Sequence, residues 1–479
     1  MTRDLFLGLD VGTQGTKGVL LDATLGQIVG RASSAYGLIE GLPEGAAEQH
    51  PDTWSAAIAN VVRALDVDAQ RLAGIGVSGQ QHGCVPLDAD GRVLRAARLW
   101  CDTSTTREAE ELSATLGRTI PVGFTASKVL AFAREDPEGW DACAHVLLPH
   151  DYVNYKLTDR ITSEAGDASG TGYFDPVTRQ YDTPAMAAID PRLAERVPVL
   201  LAANESAGAL TLVAATWLGL GAAAVGVPVS AGGGDNMLSA IGSGATRSGT
   251  AVVSLGTSGT VFTRSDVPVI DPSGAIAAFC DSTGAWLPLL CVMNATSVAE
   301  EVARAFGTDH ATLTREAAAL PAGNDGLLMV PYLMGERTPD RPNATGSLHG
   351  LRPGGLARGA LYRAALEGVA LNLAWGVHRM RELDLRIDKV RLVGGGSKND
   401  LWASILASAL HVTVERPVES ESAALGAALQ SQWVTHPSAS IDDLAQVAVK
   451  IEGVPIEPNA ADAAVYAERL GTFRKLAEG

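Results

Sequence analysis

The sequence has few cysteines and few basic side chains, and each shortage excludes a class of protein. Five cysteines occur in 479 residues, and no two have the Cys-x-x-Cys spacing, which disfavours a disulfide framework and a zinc ribbon. Lysine and arginine total 37 against 54 aspartates and glutamates, a formal net charge of −17. Without basic runs, such a chain is not expected to bind nucleic acid or an anionic membrane. The cysteine content favours a reducing compartment, the cytoplasm.

The uncharged stretch 206–234 is long enough to span a bilayer, but its composition opposes that interpretation. Glycines and Pro228 divide it into a predicted helix over 210–220 and a predicted strand over 224–231. The first residues reach an acidic side chain at once and lack the apolar core of a signal peptide. We therefore expect no membrane span and no membrane partner.

The chain is 46% apolar and 19% charged, too hydrophobic for a disordered protein. Its length predicts two large domains, since a domain typically has roughly 100–200 residues. A strand over 5–10, a turn over 11–16 and a returning strand over 17–22 are predicted to open an antiparallel meander, with a third strand over 27–33. The same strand–turn–strand pattern recurs over 251–263.

A second pattern also occurs twice. An apolar strand over 227–231 runs into Gly232–Gly234, and a strand over 390–393 runs into Gly394–Gly396, each followed by a helix. We interpret both repeats as the mark of a duplicated α/β domain with a cleft between the two copies. The predicted domains are residues 1–245 and 246–479.

The turns of the first repeat have the pattern Gly-Thr-x-Gly-Thr, over Gly12–Thr16 and Gly256–Thr260. Small side chains and outward-facing N–H groups make such a turn suited to phosphate oxygens. One copy alone is best explained as an ordinary hairpin turn, but two copies in matching positions favour phosphate binding. Asp10, at the end of the first strand, is placed to hold Mg²⁺ directly or through water. The chain has no Walker P-loop at Gly12–Lys17, and no G-x-G-x-x-G opens a helix after the first strand.

Two glycine-rich segments allow two interpretations each. In Gly232–Asn236 the carboxylate of Asp235 either caps the following helix or accepts a proton from a hydroxyl that the neighbouring amide binds. In Gly394–Asn399 the glycines either lie against a planar group such as adenine or permit tight helix–strand packing. The local sequence leaves both pairs of interpretations open.

Gln80-Gln81-His82 lies between glycines at the end of a predicted strand. Neutral amide and imidazole groups donate and accept hydrogen bonds, which suits the hydroxyls of a polyol, although a lone histidine is more often structural. The remaining histidines show no metal-ligand spacing. Position 260 is threonine, so Gly256–Thr260 is not a serine-hydrolase elbow.

Taken together, these residues resemble the FGGY carbohydrate kinases over essentially the whole chain, and Gln81-His82 followed by Gly83 is similar to the members that act on xylulose. The resemblance implies two ribonuclease-H-like domains of the actin/hexokinase/Hsp70 type, the first with the sugar site and the second with the adenine site. The matching segments are Leu9–Lys17, Glu48–Trp54, Gly79–Gly83, Leu99–Asp102, Gly123–Lys128, Leu148–Tyr152, Gly232–Asn236, Ser254–Gly259, Pro331–Pro339, Gly394–Asn399 and Ala424–Ala428.

The resemblance also implies an activity, the ATP-dependent phosphorylation of a ketopentose, with D-xylulose at O5 as the expected acceptor. It implies Asp235 as the general base and Asp10 with Asp235 as Mg²⁺ ligands. The implied partners are a small sugar and ATP, with a homodimer as a candidate assembly. The implied sugar-binding residues are Gln81, His82, Trp100, Asp102, Asp235 and Asn236. The implied nucleotide-binding residues are Thr13, Gln14, Thr16, Lys17, Gly256, Thr257, Ser258, Gly395, Gly396 and Asn399.

Some positions depart from the family pattern. Trp100-Cys-Asp102-Thr-Ser104 lacks an arginine that the family places at its end, Ala131 stands where tryptophan is usual, and many bacterial members have methionine at position 81. Three alternatives therefore stay open: a sibling kinase acting on ribulose, ribitol or another polyol; a chaperone-like or actin-like ATPase that needs no sugar; and a sugar-binding regulator without catalysis.

Overall fold

The computed structural model describes residues 3–478, a mixed α/β chain. Its strands in chain order are β1 (Leu5–Val11), β2 (Gly15–Asp22), β3 (Gln27–Ala35), β4 (Glu48–Gln49), β5 (Leu72–Gly79), β6 (Val85–Asp88), β7 (Ala97–Arg98), β8 (Cys143–Leu147), β9 (Thr162–Glu164), β10 (Phe174–Asp175), β11 (Gln180–Tyr181), β12 (Val199–Leu201), β13 (Ser206–Ala209), β14 (Pro228–Ser230), β15 (Gly233–Gly234), β16 (Gly249–Leu255), β17 (Gly259–Thr263), β18 (Leu289–Val292), β19 (Leu328–Val330), β20 (Ser347–His349), β21 (Ile387–Val393), β22 (Thr413–Pro417) and β23 (Ile451–Ile456).

The α-helices lie between and after these strands. In chain order they are α1 (Pro51–Ala64), α2 (Thr106–Leu116), α3 (Thr125–Glu135), α4 (Pro137–Ala142), α5 (Pro149–Thr158), α6 (Ala165–Ala168), α7 (Thr183–Ile189), α8 (Leu212–Trp217), α9 (Asp235–Gly242), α10 (Thr296–Phe306), α11 (His310–Ala318), α12 (Arg358–Glu382), α13 (Asp400–Leu410), α14 (Ser422–Thr435), α15 (Ile441–Ala448) and α16 (Ala460–Glu478). Among the helices of residues 3–478, none has the length and apolar character needed to cross a membrane.

The chain forms two compact units. Unit 1 contains residues up to Thr246 together with 279–287 and 421–449, and unit 2 contains 247–278, 288–420 and 450 onwards. The first change of unit, after Thr246, lies one residue from the boundary expected between consecutive domains. The segments 279–287 and 421–449, however, belong to unit 1, whereas a division at 245/246 assigns them to the second domain.

The two units contain sheets of the same topology. In unit 1 the order is β3-β2-β1-β5-β14-β13, with β15 also paired to β5, and in unit 2 it is β18-β17-β16-β21-β22-β23. Each pair of neighbours runs in the same relative direction in both sheets, with antiparallel pairs at both ends and parallel pairs in the centre. The predicted duplication and the two predicted opening hairpins, β1–β2 and β16–β17, are confirmed.

The pairing of the two Gly-Gly-Gly segments as a second repeat is wrong. Strand β21, which precedes Gly394, occupies the place of β5 in the first sheet, next to the opening strand, whereas Gly232 follows β14, one strand further out. Both segments begin with a glycine in the left-handed region, at φ 78° for Gly232 and φ 85° for Gly394. The common residue type therefore reflects a common backbone need rather than equivalent positions.

Helix α14 belongs to unit 1 because its backbone packs directly on that sheet. A Cβ atom at Gly8 of β1 would lie 1.9 Å from the carbonyl oxygen of Ala424, and one at Gly76 of β5 would lie 1.9 Å from that of Ala427. Glycines at these positions let the helix approach to backbone contact. The other face of β1 carries Leu5, Leu7 and Leu9 into a core shared with helix α1, as the two-residue period of a strand requires.

In unit 2 the helices pack around α12, most of whose side chains are buried. The strand β16 contributes Ala251, Val253 and Leu255 to the same core. This packing fixes the end of the central strand β16, where the second Gly-Thr-x-Gly-Thr turn begins.

Candidate active site

Asp10 and Lys17 face each other across the first hairpin. They are register partners on β1 and β2, and Asp10 also lies opposite Ser78 on β5. The Ser78 hydroxyl donates a hydrogen bond of 2.8 Å to Asp10 Oδ1, and Lys17 Nζ lies 2.7 Å from Glu421 Oε2. Burial raises the pKa of Asp10 to about 6, although the Ser78 hydroxyl and the charge of Lys17 oppose the shift. The hairpin therefore begins at a carboxylate whose negative charge is only partly compensated.

The turn of the first hairpin is held by side-chain amides. Trp100 Nε1 donates to Thr13 Oγ1 at 2.9 Å, and Thr13 Oγ1 donates to Gln80 Oε1 at 2.9 Å. Gln80 Nε2 donates to Gln49 Oε1 at 3.0 Å, and Gln49 Nε2 donates to the carbonyl oxygen of Thr13 at 2.7 Å. The polar atoms of Thr13 and the indole N–H of Trp100 are thus engaged in positioning the turn. Within the turn, the N–H of Gly12 donates to the carbonyl oxygen of Gly15 at 3.1 Å.

The other two nucleotide candidates of this hairpin differ in exposure. The Gln14 side chain is exposed, whereas Thr16 is buried, with its hydroxyl 3.3 Å from Tyr36 Oη. The Tyr36 hydroxyl in turn donates to the carbonyl oxygen of Gly12 at 2.8 Å. Thr16 therefore stabilises the turn from beneath.

Asp235, Asn236 and Gln81 form one hydrogen-bonded group. Asp235 is the first residue of α9, where its Oδ1 accepts from the Asn236 backbone N–H at 2.8 Å and from Asn236 Nδ2 at 3.0 Å. Asn236 Nδ2 also donates to Gln81 Oε1 at 2.8 Å. The structure thus brings three of the predicted sugar-binding residues together from two loops. The cap and base interpretations of Asp235 are compatible here, since one carboxylate oxygen serves the helix end.

Burial raises the pKa of Asp235 to about 7, and the charges of Asp10 and Asp167 raise it further, against the hydrogen bond from the Asn236 backbone. A carboxylate with such a pKa is a stronger base than an ordinary aspartate, and about half of it is ionised near pH 7. Asp167 lies on α6, where it pairs with His150 at 2.5 Å from Nδ1 to Oδ2, and burial raises its pKa well above the ordinary value.

His82 lies between two aromatic rings. Its ring centroid is 4.7 Å from that of Phe124 and 5.9 Å from that of Phe279, and its carbonyl oxygen accepts a hydrogen bond from the Thr125 hydroxyl at 3.1 Å. The residue has a left-handed backbone, with φ 65°. The imidazole is therefore held at a defined angle beside Gln81.

Asp102 is engaged by its own surroundings. It is fully buried, and its carboxylate accepts hydrogen bonds from the backbone N–H of Ala47 at 2.8 Å and from the N–H and hydroxyl of Ser104 at 3.0 and 2.6 Å. These contacts tie the loop around Trp100 to the loop around Ala47. They give Asp102 a positioning task and do not link it to Gln81, His82 or Asp235.

In unit 2 the second hairpin turn and the Gly394–Asn399 segment lie together. A Cβ atom at Gly396 would lie 2.8 Å from Leu255 Cβ, directly before Gly256, and 3.1 Å from Thr296 Cγ2. The N–H of Thr296 donates to the carbonyl oxygen of Gly256 at 2.9 Å, and that of Ala295 donates to Thr257 at 3.1 Å. The head of α10 thus holds the turn from outside. The side chain of Thr257 is exposed and that of Ser258 is half-buried.

The remaining nucleotide-binding candidates, Gly395, Gly396 and Asn399, also differ in exposure. Gly395 is exposed, with open space where a Cβ would be, as a surface for a planar ligand requires. Gly396 is buried by its packing, and Asn399 caps α13 by accepting from Trp402 N–H at 3.1 Å while donating to Thr314 Oγ1 at 2.9 Å. Packing therefore accounts for Gly396 and helix capping for Asn399, while Gly395 stays a candidate for contact with a planar ligand.

Several of these contacting residues had no role assigned from the sequence. Gln49 and His150 lie inside segments that match the family pattern, and this position was the available signal for them. Phe279 is remote in sequence from His82, and nothing in the local composition marks it. Glu421 precedes α14, whose place in unit 1 depends on long-range packing.

Comparison with known proteins agrees with this geometry. The model of the FGGY family of carbohydrate kinases, N-terminal domain, matches residues 5–242, and that of the C-terminal domain matches 251–433. The xylulose kinase of Haemophilus influenzae is 37% identical over 449 residues, 90% of each chain, and that of Escherichia coli is 32% identical over 493 residues, 98% of each chain. The solved structure of a xyloylose kinase from Brucella ovis has a TM-score of 0.91 and 33% identity, with 98% of each chain covered.

The duplicated sheets, each with a glycine-rich hairpin, define a phosphotransferase of the actin/hexokinase/Hsp70 fold class, with ATP as the phosphate donor. The chain belongs to the FGGY family of carbohydrate kinases.

Proposed function

We propose that this kinase phosphorylates D-xylulose at O5, giving D-xylulose 5-phosphate. The group formed by Asp235, Asn236 and Gln81 carries the proposal, because it places a carboxylate with a raised pKa beside two amides that suit sugar hydroxyls. Curated relatives at 37% and 32% identity are xylulose kinases, which favours this sugar among the polyols.

In the proposed reaction, the O5 oxygen attacks the γ-phosphorus of ATP, the bond from that phosphorus to the β–γ bridging oxygen breaks, and ADP leaves. Asp235 orients the hydroxyl and accepts its proton as charge moves onto the phosphoryl group. Gln81, His82 and Asn236 bind the other hydroxyls. The backbone N–H groups of Gly12–Thr16 and Gly256–Thr260 bind phosphate oxygens, with Lys17 as a nearby positive charge.

We also propose Mg²⁺ near Asp10 and Asp235. The negative charge of Asp10 raises the pKa of Asp235. A cation bound near both carboxylates would relieve this repulsion. Within residues 3–478 no group of three or more His, Cys, Asp or Glu side chains is arranged for metal binding. Two carboxylates still fit, because Mg²⁺ commonly takes one or two together with phosphate oxygens and water. Bound there, the ion would offset charge on the phosphate oxygens.

A panel of acceptors tests the sugar assignment. We expect ADP release, measured in a coupled assay with Mg-ATP, to have a kcat/KM for D-xylulose at least about tenfold above that for D-ribulose, ribitol and glycerol, since each unpaired hydroxyl in a polar site costs at least that factor. A preference for ribulose or ribitol would change the assigned substrate but would leave the assignment as a carbohydrate kinase intact. ADP release without any sugar would favour an ATPase instead.

The pH profile tests Asp235 as the base. A proton occupies the carboxylate below its pKa of about 7, and the protonated form cannot accept another. We therefore expect kcat/KM to fall about tenfold per pH unit below that pKa. The charges of Asp10 and Asp167 raise this pKa, and the charges of Lys17 and Glu421 act on Asp10 in turn. Steady-state rates between pH 5 and 8.5, with circular dichroism as a check of folding, measure this. A flat profile over that range would contradict the assignment.

A further inference from the structure

The segment that leads to Asp235 loses its pairing with β5 for three residues. Strand β14 pairs with β5 at Val229 and Ile75, and pairing resumes with Gly233 opposite Ser78. Between these points, residues 230–232 stand opposite only Gly76 and Val77. One extra residue in one strand is a bulge, and a bulge removes backbone groups from the ladder.

Side-chain amides replace the missing partners. Gln430 Oε1 accepts from the N–H of Gly232 at 2.9 Å and from the Ser230 hydroxyl at 2.8 Å, while Gln430 Nε2 donates to the carbonyl oxygen of Gly232 at 2.9 Å. Asn154 Nδ2 donates to the carbonyl oxygen of Ala231 at 2.7 Å. Two buried carboxamides, one from α14 and one from α5, thereby bind the N–H of Gly232 and the carbonyl oxygens of Ala231 and Gly232, while the Ala231 N–H donates to the carbonyl oxygen of Glu205 at 3.0 Å.

Gln430 binds both polar groups of one residue. A carboxamide serves both at any pH, because the N–H of Gly232 needs an acceptor and its carbonyl oxygen needs a donor. Gly232 has a left-handed backbone at φ 78°, and a Cβ there would lie 2.8 Å from the carbonyl oxygen of Val77. The two hydrogen bonds therefore set the peptide planes on either side of this residue.

The contacted residue, Gly232, lies three positions before the proposed base, Asp235. Gly232, Gly233 and Gly234 have more backbone freedom than any other residues, so the direction of Asp235 depends on what restrains them. Pairing with β5 restrains Gly233 and Gly234, and Gln430 restrains Gly232.

We propose that Gln430 is a positioning residue for phosphoryl transfer, which holds the backbone of Gly232 so that Asp235 meets the sugar hydroxyl. The inference rests on the proposed function of Asp235. Proton acceptance depends steeply on geometry, since a displacement of about 1 Å can cost a factor of about 100 in rate.

The main test is Gln430→Met, which keeps the length and removes both polar atoms. We expect kcat with D-xylulose to fall about tenfold to 100-fold, on the scale of such a displacement, with the KM for ATP within about twofold of the parent. The matched control is Gln432→Met, the same change two residues along α14 at a half-buried position, for which we expect the parental kcat. Circular dichroism at the assay temperature verifies that both variants are folded.

Gln430→Glu gives a second readout that lost packing alone would not produce. The ionised carboxylate still accepts from Gly232 N–H but cannot donate to its carbonyl oxygen, whereas the protonated form can. We expect the ratio of its kcat to that of the parent to rise as pH falls. This variant carries the test if Gln430→Met does not fold.

Two results would overturn the inference while leaving the proposed function intact: a folded Gln430→Met variant with the parental kcat, or a loss equal to that of Gln432→Met. For Gln430→Glu, a ratio independent of pH would do the same. A parent protein that phosphorylates no sugar in the panel would refute the proposed function itself, and the inference with it.

Discussion

Replacement of Asp235 by asparagine is expected to lower kcat with D-xylulose by a factor of about 10² to 10⁴, the usual contribution of a positioned general base. The amide keeps the shape of the side chain and can still accept from the Asn236 N–H, so the loss reports the missing base rather than a missing cap. The KM for ATP should change little. The rate of ADP release in the coupled assay measures the effect.

Asp136→Asn is the matched control. Asp136 also stands at the start of a helix in unit 1, where it caps α4 by accepting from the Gly139 N–H at 2.9 Å. Asparagine caps a helix about as well as aspartate, so this variant should keep the parental kcat. Near-parental turnover by Asp235→Asn would rule out the base assignment.

The same substitution should stabilise the protein at neutral and alkaline pH. The folded-state pKa of Asp235 is raised to about 7 from an ordinary 3.8, so folding favours the protonated carboxyl. Its contribution to stability is complete below pH 3.8 and is lost as pH rises through 7. The midpoint of thermal unfolding of Asp235→Asn should therefore exceed that of the parent at pH 8, with a difference that narrows towards pH 4. Scanning calorimetry at both pH values measures it.

Gly76→Ala is expected to be among the most destabilising single methyl additions in unit 1. The new Cβ would lie 1.9 Å from the carbonyl oxygen of Ala427 and 2.5 Å from its carbonyl carbon, both backbone atoms of α14. Relief requires the helix to move away from the sheet. Overpacking commonly costs about 1–3 kcal/mol, and a clash between backbones should reach or exceed the upper end of that range.

Gly37→Ala provides the comparison, because a Cβ there meets nothing within 4 Å and the residue is exposed. We expect Gly37→Ala to unfold at the parental temperature. Gly76→Ala should unfold several degrees lower, since about 1 kcal/mol corresponds to roughly 2–4 °C for a domain of 150–250 residues. Equal unfolding temperatures would show that α14 does not lie in backbone contact with β5.

Local sequence was sufficient to predict the opening hairpin of each sheet, β1–β2 and β16–β17. Short apolar runs on both sides of Gly12–Thr16 and Gly256–Thr260 indicate strand, turn and strand without reference to the rest of the chain. The helix expected after Gly394–Gly396 is present as α13, Asp400–Leu410. The helix predicted over 210–220 is shorter, Leu212–Trp217, because glycines near its end favour turns.

The tasks of individual polar side chains could not be predicted in this way. Trp100, Asp102 and Asn399 have the residue types expected for ligand binding, yet their hydrogen bonds go to Thr13, to the Ala47 loop and to α13. A polar side chain in a motif that matches the family can bind the ligand or stabilise the loop next to it. Which of the two it does depends on its hydrogen-bond partner, and for Trp100 and Asp102 that partner is remote in sequence.

The sequence by itself determined the duplicated α/β class and the two Gly-Thr-x-Gly-Thr hairpin turns, and it marked Asp235 as a candidate base. Apolar strands and glycine-rich turns could be predicted because they depend on neighbouring residues. Only the tertiary structure decided that α14 joins unit 1, that Gln430 holds Gly232, and that Asp10 and Asp167 raise the pKa of Asp235. These depend on contacts across hundreds of residues and on burial, and the electrostatic effect of a charge is set by where the folded chain places it.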